Sequence, residues 1–377
     1  MTECLQRETE TLLQLSQVSW YGDLLNSRLK SAMNIITSVF FGGGTPSLAH
    51  PSTIAAVLET VSRQANLSDT AEVTLEVNPT PVGRSKLEDF FHAGVNRFSI
   101  GVQRPQPSAG FANCGRGQEA VARGVSVDVM FGRPKQSVES WENELSELLR
   151  VCDDHVSLYQ LTLERGTQLF KQVLGGEVTL PTEEETAEMY LCARKTLHQH
   201  GLLQYEVSNF ARQNAVSHHN RSYWKGTQSS RTVCPCGGGG VLREARTQTL
   251  EPDIWMREVQ QKGHATRRRI QLSHLELLEE VLVMGMRMME GINHKHWELF
   301  SPQLGLHEVF GTSSDVQELL QRGQLILDER GLRCSWEGLA LLDSLLPALL
   351  VELERRVSQR LQEDEHAKGQ TNRTSPR

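Results

Sequence analysis

The stretch that decides the fold is Ser38-Val-Phe-Phe-Gly-Gly-Gly-Thr-Pro-Ser47. Four β-branched, aromatic or small residues run into three glycines, which is the pattern of a buried strand ended by a tight turn. A helix follows directly, with Ile54, Val57, Leu58 and Val61 at i, i+3, i+4 and i+7. A strand, a glycine turn and an amphipathic helix together make one βα unit.

The same unit recurs along the chain. Strands are predicted at Glu72–Val77, Arg97–Val102, Val125–Met130, His155–Leu161 and Tyr205–Ser208, and helices at about 87–91, 141–149 and 184–200. Gly94 and Gly201 stand where helix C-caps are expected. Repeated βα units predict an α/β protein with a mainly parallel sheet, open or partly closed into a barrel. In either form ligands sit at the carboxyl ends of the strands. Gly42–Thr45, Glu76, Asn78, Gln103 and Asp128 are the polar and glycine residues placed there, so they are the candidate small-molecule site.

After about residue 225 the pattern changes. Cys234-Pro-Cys-Gly-Gly-Gly-Gly240 is low in complexity. A strong helix is expected over 273–290 and another around Val316, Leu319 and Leu320. Leu325–Cys334 reads as a hairpin turning at Glu329–Gly331. A last apolar helix spans Leu339–Leu350. Helices followed by a hairpin predict a small helical, winged-helix-like domain. The chain is thus divided into an atypical segment 1–37, a barrel-like region 38–228, a glycine-rich linker 229–242, a C-terminal domain 243–350 and a polar, disordered tail 351–377.

Composition sets bounds on function. The 377 residues include 39 basic and 46 acidic ones, a net charge of −7. That excludes a simple polybasic nucleic-acid binder. No run reaches the roughly 18–20 apolar residues of a membrane span. Seven scattered cysteines do not make a secreted disulfide framework. The acidic N-terminus, helical over 2–16, has neither a signal-peptide nor a transit-peptide layout.

Taken in order, Phe40-Phe-Gly-Gly-Gly-Thr-Pro-Ser47, Glu76-Val-Asn-Pro79, Ser99-Ile-Gly-Val-Gln103, Ser126-Val-Asp-Val-Met130, Ser157-Leu-Tyr-Gln-Leu161, Tyr205-Glu-Val-Ser-Asn-Phe-Ala211 and His218-His-Asn-Arg-Ser-Tyr-Trp224 resemble the radical S-adenosylmethionine family, within it the HemW-type heme chaperones. The resemblance implies a partial (β/α)6 barrel lacking its first strand, plus a C-terminal domain of that family. It implies that Gly42, Gly43, Gly44 and Thr45 hold the amino and carboxylate end of S-adenosylmethionine. Glu76 and Gln103 would contact the cofactor, and Asp128 its ribose, since a carboxylate accepts two hydrogen bonds. His219-Asn-Arg-Ser-Tyr-Trp224 matches the branch's HNxxYW signature. It makes His219 the candidate heme-iron ligand, with Asn220, Tyr223 and Trp224 beside it and His218, Cys234 and Cys236 as competing donors.

The resemblance has gaps. Family members carry a [4Fe–4S] cluster on CxxxCxxC just after the first barrel strand. This chain has only Cys4 ahead of the glycine turn, so no cluster, no metal ligand set and weakened S-adenosylmethionine binding are expected. Residues 19–34 look inserted. The segment after Gln103 is short and rich in proline and glycine, and Arg116 is not carried over as a cofactor contact. The implied function is heme binding and delivery to acceptor proteins, by resemblance in the mitochondrion, with the cytoplasm as the other compartment open. An oxygen-independent coproporphyrinogen III oxidase of porphyrin biosynthesis is the alternative, and a non-functional truncated form a third. HNxxYW and Leu332-Arg-Cys-Ser-Trp-Glu-Gly-Leu-Ala340 favour the chaperone.

Overall fold

The computed structural model describes residues 1–18, 35–78, 84–102, 124–150, 152, 154–226, 231–233 and 241–371. It divides into two compact units. The first comprises 1–10 and 26–221, and the second 11–25 and 222–377.

Helix α1 (Thr2–Val18), of which residues 2–10 belong to the first unit, precedes strand β1 (Ile35–Phe41), helix α2 (Pro51–Gln64), β2 (Asn66–Val77), α3 (Arg84–His92), β3 (Arg97–Val102), β4 (Val125–Phe131), α4 (Val138–Leu148), β5 (His155–Gln160), α5 (Gln168–Leu174), α6 (Glu183–Gln199), β6 (Leu203–Glu206), β7 (Asn209–Ala211) and α7 (His218–Trp224), of which residues 218–221 belong to that unit. The seven strands form one sheet in the order β1-β2-β3-β4-β5-β7-β6. β1 to β5 are parallel neighbours, and β7 and β6 add antiparallel. The α/β partial barrel is therefore present. Its sixth predicted strand, Tyr205–Ser208, is instead an antiparallel pair covering 203–206 and 209–211.

Successive side chains on a strand face opposite sides. Here the alternation separates two chemistries. Val73, Leu75, Val77, Phe98, Ile100, Val102, Val127, Val129, Phe131, Val156 and Leu158 point to the helices and share one core with Leu58, Phe90, Trp141, Leu145, Met189 and Leu197. The other face carries Glu72, Thr74, Glu76, Arg97, Ser99, Ser126, Asp128, His155 and Ser157, in register across four strands. Helix starts are fixed locally. Thr182 and Glu185 form a capping box on α6, and Ser137 with Ser140 one on α4. Gly94 (φ +105°) and Gly201 (φ +81°) end α3 and α6 as expected.

The second unit holds β8 (Arg231–Val233), β9 (Val241–Gln248), α8 (Pro252–Lys262), β10 (Thr266–Gln271), α9 (His274–Met286), α10 (His294–Glu298), α11 (Leu306–Phe310), α12 (Ser314–Gln321), the hairpin β11 (Leu325–Asp328) and β12 (Gly331–Cys334), α13 (Trp336–Leu339) and α14 (Leu342–Thr371). Helices and hairpin match the expected small domain. Two features depart from it. The segment read as a linker, 229–242, contributes to a three-stranded antiparallel sheet, β10-β9-β8. The tail read as disordered continues α14 to Thr371. Leu345, Leu349, Leu353 and Val357 are buried at successive four-residue steps, which keeps the helix docked well past residue 350.

Candidate functional site

The glycine turn leaves β1 at the edge of the polar face. Gly43 (φ +81°) and Gly44 (φ +63°) are left-handed, a conformation other residues adopt at a cost. The Gly43 N–H donates to Glu76 Oε2 (3.0 Å), and Asn78 Nδ2 donates to Thr45 Oγ1 (3.0 Å). β2 thus pins the turn from its own carboxyl end. A side chain at Gly43 or Gly44 would meet open space, so backbone is presented outward there. At Gly42 the reverse holds: a Cβ would lie 2.4 Å from a Phe40 ring carbon and 3.1 Å from the Glu76 carboxyl carbon.

Asp128 lies in mid-strand on β4, not at its end as the sequence implied. Ser99 Oγ donates to its Oδ2 (2.6 Å) and Ser126 Oγ to its Oδ1 (3.3 Å). Burial pushes the Asp128 carboxyl up from its ordinary range, against the pull of those hydroxyls and of Arg97. Ser126 continues to His155 Nδ1 (2.7 Å), His155 Nε2 to the Tyr205 hydroxyl (2.9 Å), and Asn220 Nδ2 donates to that hydroxyl (3.3 Å). Burial, with Arg97 close by, holds His155 well below the usual histidine pKa, so it is neutral.

Helix α7 carries the HNxxYW residues, and Glu72 organises its start. The Glu72 carboxylate accepts from Ser217 Oγ (3.1 Å), the His218 N–H (3.0 Å) and the His219 N–H (3.0 Å). A carboxylate on otherwise unpaired first-turn N–H groups satisfies them and complements the helix dipole. Arg97 stands 3.9 Å from Glu72 and donates to the Ala215 carbonyl (3.1 Å), tying the approach to α7 to β3. The His219 ring stacks on Phe40, centroids 4.3 Å apart. Burial lowers its pKa. Among the described residues neither of its ring nitrogens makes a hydrogen bond.

Of the residues singled out in the sequence, Gly42–Thr45, Glu76, Asp128, His219 and Asn220 all belong to the first unit. Tyr223 and Trp224 belong to the second. There they meet edge to face (4.9 Å), and Arg287 covers the Trp224 ring (4.5 Å). Gln103, Arg116, Cys114, Cys234 and Cys236 lie outside the described residues. Phe40, Glu72, Arg97, Ser126, His155 and Tyr205 were not singled out. Their signal is the spacing of two within apolar strands: Glu72-x-Thr74-x-Glu76, Arg97-x-Ser99, Ser126-x-Asp128, His155-x-Ser157.

These residues can be tested against the cofactors the sequence implies. The outward backbone of the turn and the remaining acceptor capacity of Asp128 suit an amino-acid end and a ribose, so S-adenosylmethionine fits in outline. The CxxxCxxC string that holds the family's iron–sulfur cluster does not occur in this sequence, and no group of three metal-ligating side chains occurs among the described residues. A neutral imidazole without a hydrogen-bond partner suits heme iron.

Residues 272–341 match the HemN C-terminal domain family. The chain is 59% identical to the mitochondrial radical S-adenosyl methionine domain-containing protein 1 of Danio rerio, over 94% of the chain and 81% of that protein. The Bos taurus protein of the same name is 50% identical over 96% and 82%. The heme chaperone HemW of Bacillus subtilis is 27% identical over 88% and 90%. In fold, the chain resembles coproporphyrinogen III oxidase (HemN) from Escherichia coli, a radical SAM enzyme, with a TM-score of 0.64 at 17% identity over 92% and 82%. By sequence, the chain belongs to the family of radical S-adenosyl methionine domain-containing protein 1, a HemW-like branch of the radical SAM proteins.

Proposed function

We propose that this protein binds heme through His219 and passes it to acceptor proteins in the mitochondrion. The observation that carries the reading is the state of that one side chain. His219 is half-buried, shifted toward its neutral form, stacked on Phe40 and held on a helix whose first turn is fixed by Glu72. Ferric heme takes a neutral imidazole as axial ligand. Relatives at 27% and 34% identity are named heme chaperones, which supports delivery as the purpose of binding.

S-adenosylmethionine, when bound, would be held at its ribose by Asp128 and at its amino-acid end by the Gly42–Thr45 turn with Glu76. Gln103 completes the proposed set. No step of radical chemistry is ascribed to this chain, because its sequence contains no CxxxCxxC. Anaerobic reconstitution should therefore leave the chain far short of four irons per molecule. Near-stoichiometric four-iron loading would overturn that assignment.

Hemin titration tests the main proposal. The chain should give a Soret band typical of imidazole ligation. His219→Ala should weaken binding and shift the band, and Cys234→Ala should leave both unchanged. Opposite behaviour of the two variants, or no hemin uptake by soluble protein, would sink the reading.

A further inference from the structure

The polar face contains a chain of side chains that the proposed heme and nucleoside contacts do not by themselves require. It runs Asp128–Ser126–His155–Tyr205–Asn220, across β4, β5 and β6 to α7. Ser126 and His155 are almost fully buried. A buried network of this kind is costly unless every member is satisfied, so its order is defined.

With Ser126 as donor to Asp128, one direction follows. Asn220 Nδ2 is a donor only, so the Tyr205 oxygen accepts from it (3.3 Å). The Tyr205 hydrogen is then free to point to His155 Nε2 (2.9 Å). That makes His155 the Nδ1–H tautomer, donating to Ser126 Oγ (2.7 Å). Ser126 passes its own hydrogen to Asp128 Oδ1 (3.3 Å). Every donor of this chain points toward one carboxylate; Ser99 supplies a second hydroxyl to its other oxygen, and Ser157, which also meets Ser126 Oγ (3.3 Å), supplies a third. A protonated His155 would break the order, because Nε2 would then also have to donate to the Tyr205 oxygen.

We infer that this hydrogen-bond chain couples the two proposed sites negatively: a nucleoside held by Asp128 weakens heme binding at His219. The inference rests on the proposed function, in that it takes Asp128 as the ribose contact and His219 as the heme ligand. The coupling follows from acceptor capacity. Ser99, Ser126 and Ser157 fill most of the acceptor sites of the carboxylate, so a ribose donating two hydroxyls to Asp128 takes up what remains and competes with Ser126. The bond from Ser126 lengthens, and bonds in a chain polarise one another. The tether on Asn220 slackens one residue from His219. The nucleoside thus favours the slack Asn220 tether and heme the intact one, and such a difference is what any coupling needs. For a heme carrier this would favour release when the nucleoside binds.

The test is a pair of hemin titrations of the full chain, with and without saturating S-adenosylmethionine. Hemin affinity should fall about fivefold with the nucleoside, at the low end of ordinary couplings. Reciprocity requires hemin to weaken S-adenosylmethionine by the same factor. Tyr205→Phe and Ser126→Ala each cut the chain while leaving Asp128 and His219 in place. Both should bring the factor close to one, with hemin affinity in the absence of nucleoside within about twofold of the original. A purely structural role would instead lower both affinities and leave their ratio unchanged, which would overturn the inference. So would a native chain that binds both ligands independently or with positive coupling. Failure of the native chain to bind either ligand would overturn the proposed function and this inference together.

Discussion

The two faces of one sheet do different work, although they are built from alternate residues of the same strands. On the helix side, Leu75, Val129, Val156 and their neighbours are sealed under Trp141, Phe90 and Met189. On the other side, Glu72, Arg97, Asp128 and His155 stand at the matching registers and are held by hydrogen bonds. Apolar burial tolerates small errors of position and yields stability roughly in proportion to area. A buried polar array yields little net stability, and loss of one member leaves its partner unsatisfied. The apolar face should therefore govern whether the chain folds, and the polar face what it binds.

The strongest challenge to that division is Trp141→Ala. Trp141 is fully buried, packs against Phe131 and donates from Nε1 to the Met189 carbonyl (2.9 Å). Its removal should cost about 3–5 kcal/mol, measured by urea unfolding. Hemin affinity of the fraction that stays folded should not change. If it does, the two faces are not separable. Cavity formation far from the ligand would then reach α7.

A sharper contrast comes from pH. His155 has its pKa lowered well below 6.5 in the folded chain, first by burial and then by Arg97. In the unfolded chain it protonates near 6.5, so below that pH the unfolded state binds a proton that the folded state refuses. Stability should then rise with pH up to about 6.5 and fall below it, by up to about 1.4 kcal/mol per pH unit from this one group. His219 is shifted the same way and adds to the slope. Asp128, raised by burial, acts in the opposite sense, at pH values above the ordinary carboxylate range. Substitution of His155 by Gln should flatten the slope near pH 6, measured by urea midpoints. A residual slope of the same size would mean that other histidines carry it.

How much of this was legible in the sequence depends on the same two faces. β3, β4 and β5 came within a residue or so of their true ends, because apolar alternation bounded by polar or glycine residues has few other readings. β2 was started six residues late, since Asn66–Ala71 is polar and mostly exposed and carries no alternation. β9 and β10 were missed for a related reason. They are rich in arginine, and β10 is almost wholly exposed, so neither propensity nor pattern marked them as strands. The antiparallel turn from β6 to β7 depends on pairing, which a local pattern does not contain. In α14 the four-residue spacing of Leu345, Leu349, Leu353 and Val357 was visible, but Pro347 and the polar surface hid it. For the site, the glycine turn and HNxxYW were legible as strings. Glu72 and the Phe40 stack were not, because their role depends on where α7 lies against β1 and β2.

The Phe40 stack offers a way to move the polar face from outside it. In Gly42→Ala the new Cβ would sit 2.4 Å from the Phe40 ring, well inside contact distance, and His219 stacks on that ring. The ring must shift, and His219 with it. Overpacking of this kind costs about 1–3 kcal/mol. The expected readout is an altered hemin Soret band, with His219 itself unchanged in sequence. An unaltered band would mean that the stack does not position the ligand.

The smallest effect is expected at Thr182, on the helix side and away from any proposed ligand. Its hydroxyl accepts the Glu185 N–H (3.1 Å), and the Glu185 carboxylate returns to the Thr182 N–H (2.8 Å). Three glutamates in the first turn add favourable charge at the positive end of α6. Thr182→Ala removes one half of this box and should cost about 1 kcal/mol, as caps usually do. α6 meets the sheet through Met189, Ala193 and Leu197 and through the Arg194–Gln204 hydrogen bond (2.8 Å), about three turns along the helix from Thr182, so the hemin spectrum and the pH slope should both stay as they were. The value of the variant lies in that silence. It lowers stability by a known route, so a change in hemin binding would show that mild destabilisation alone disturbs the polar face. Effects seen in Gly42→Ala or Tyr205→Phe could then no longer be assigned to geometry.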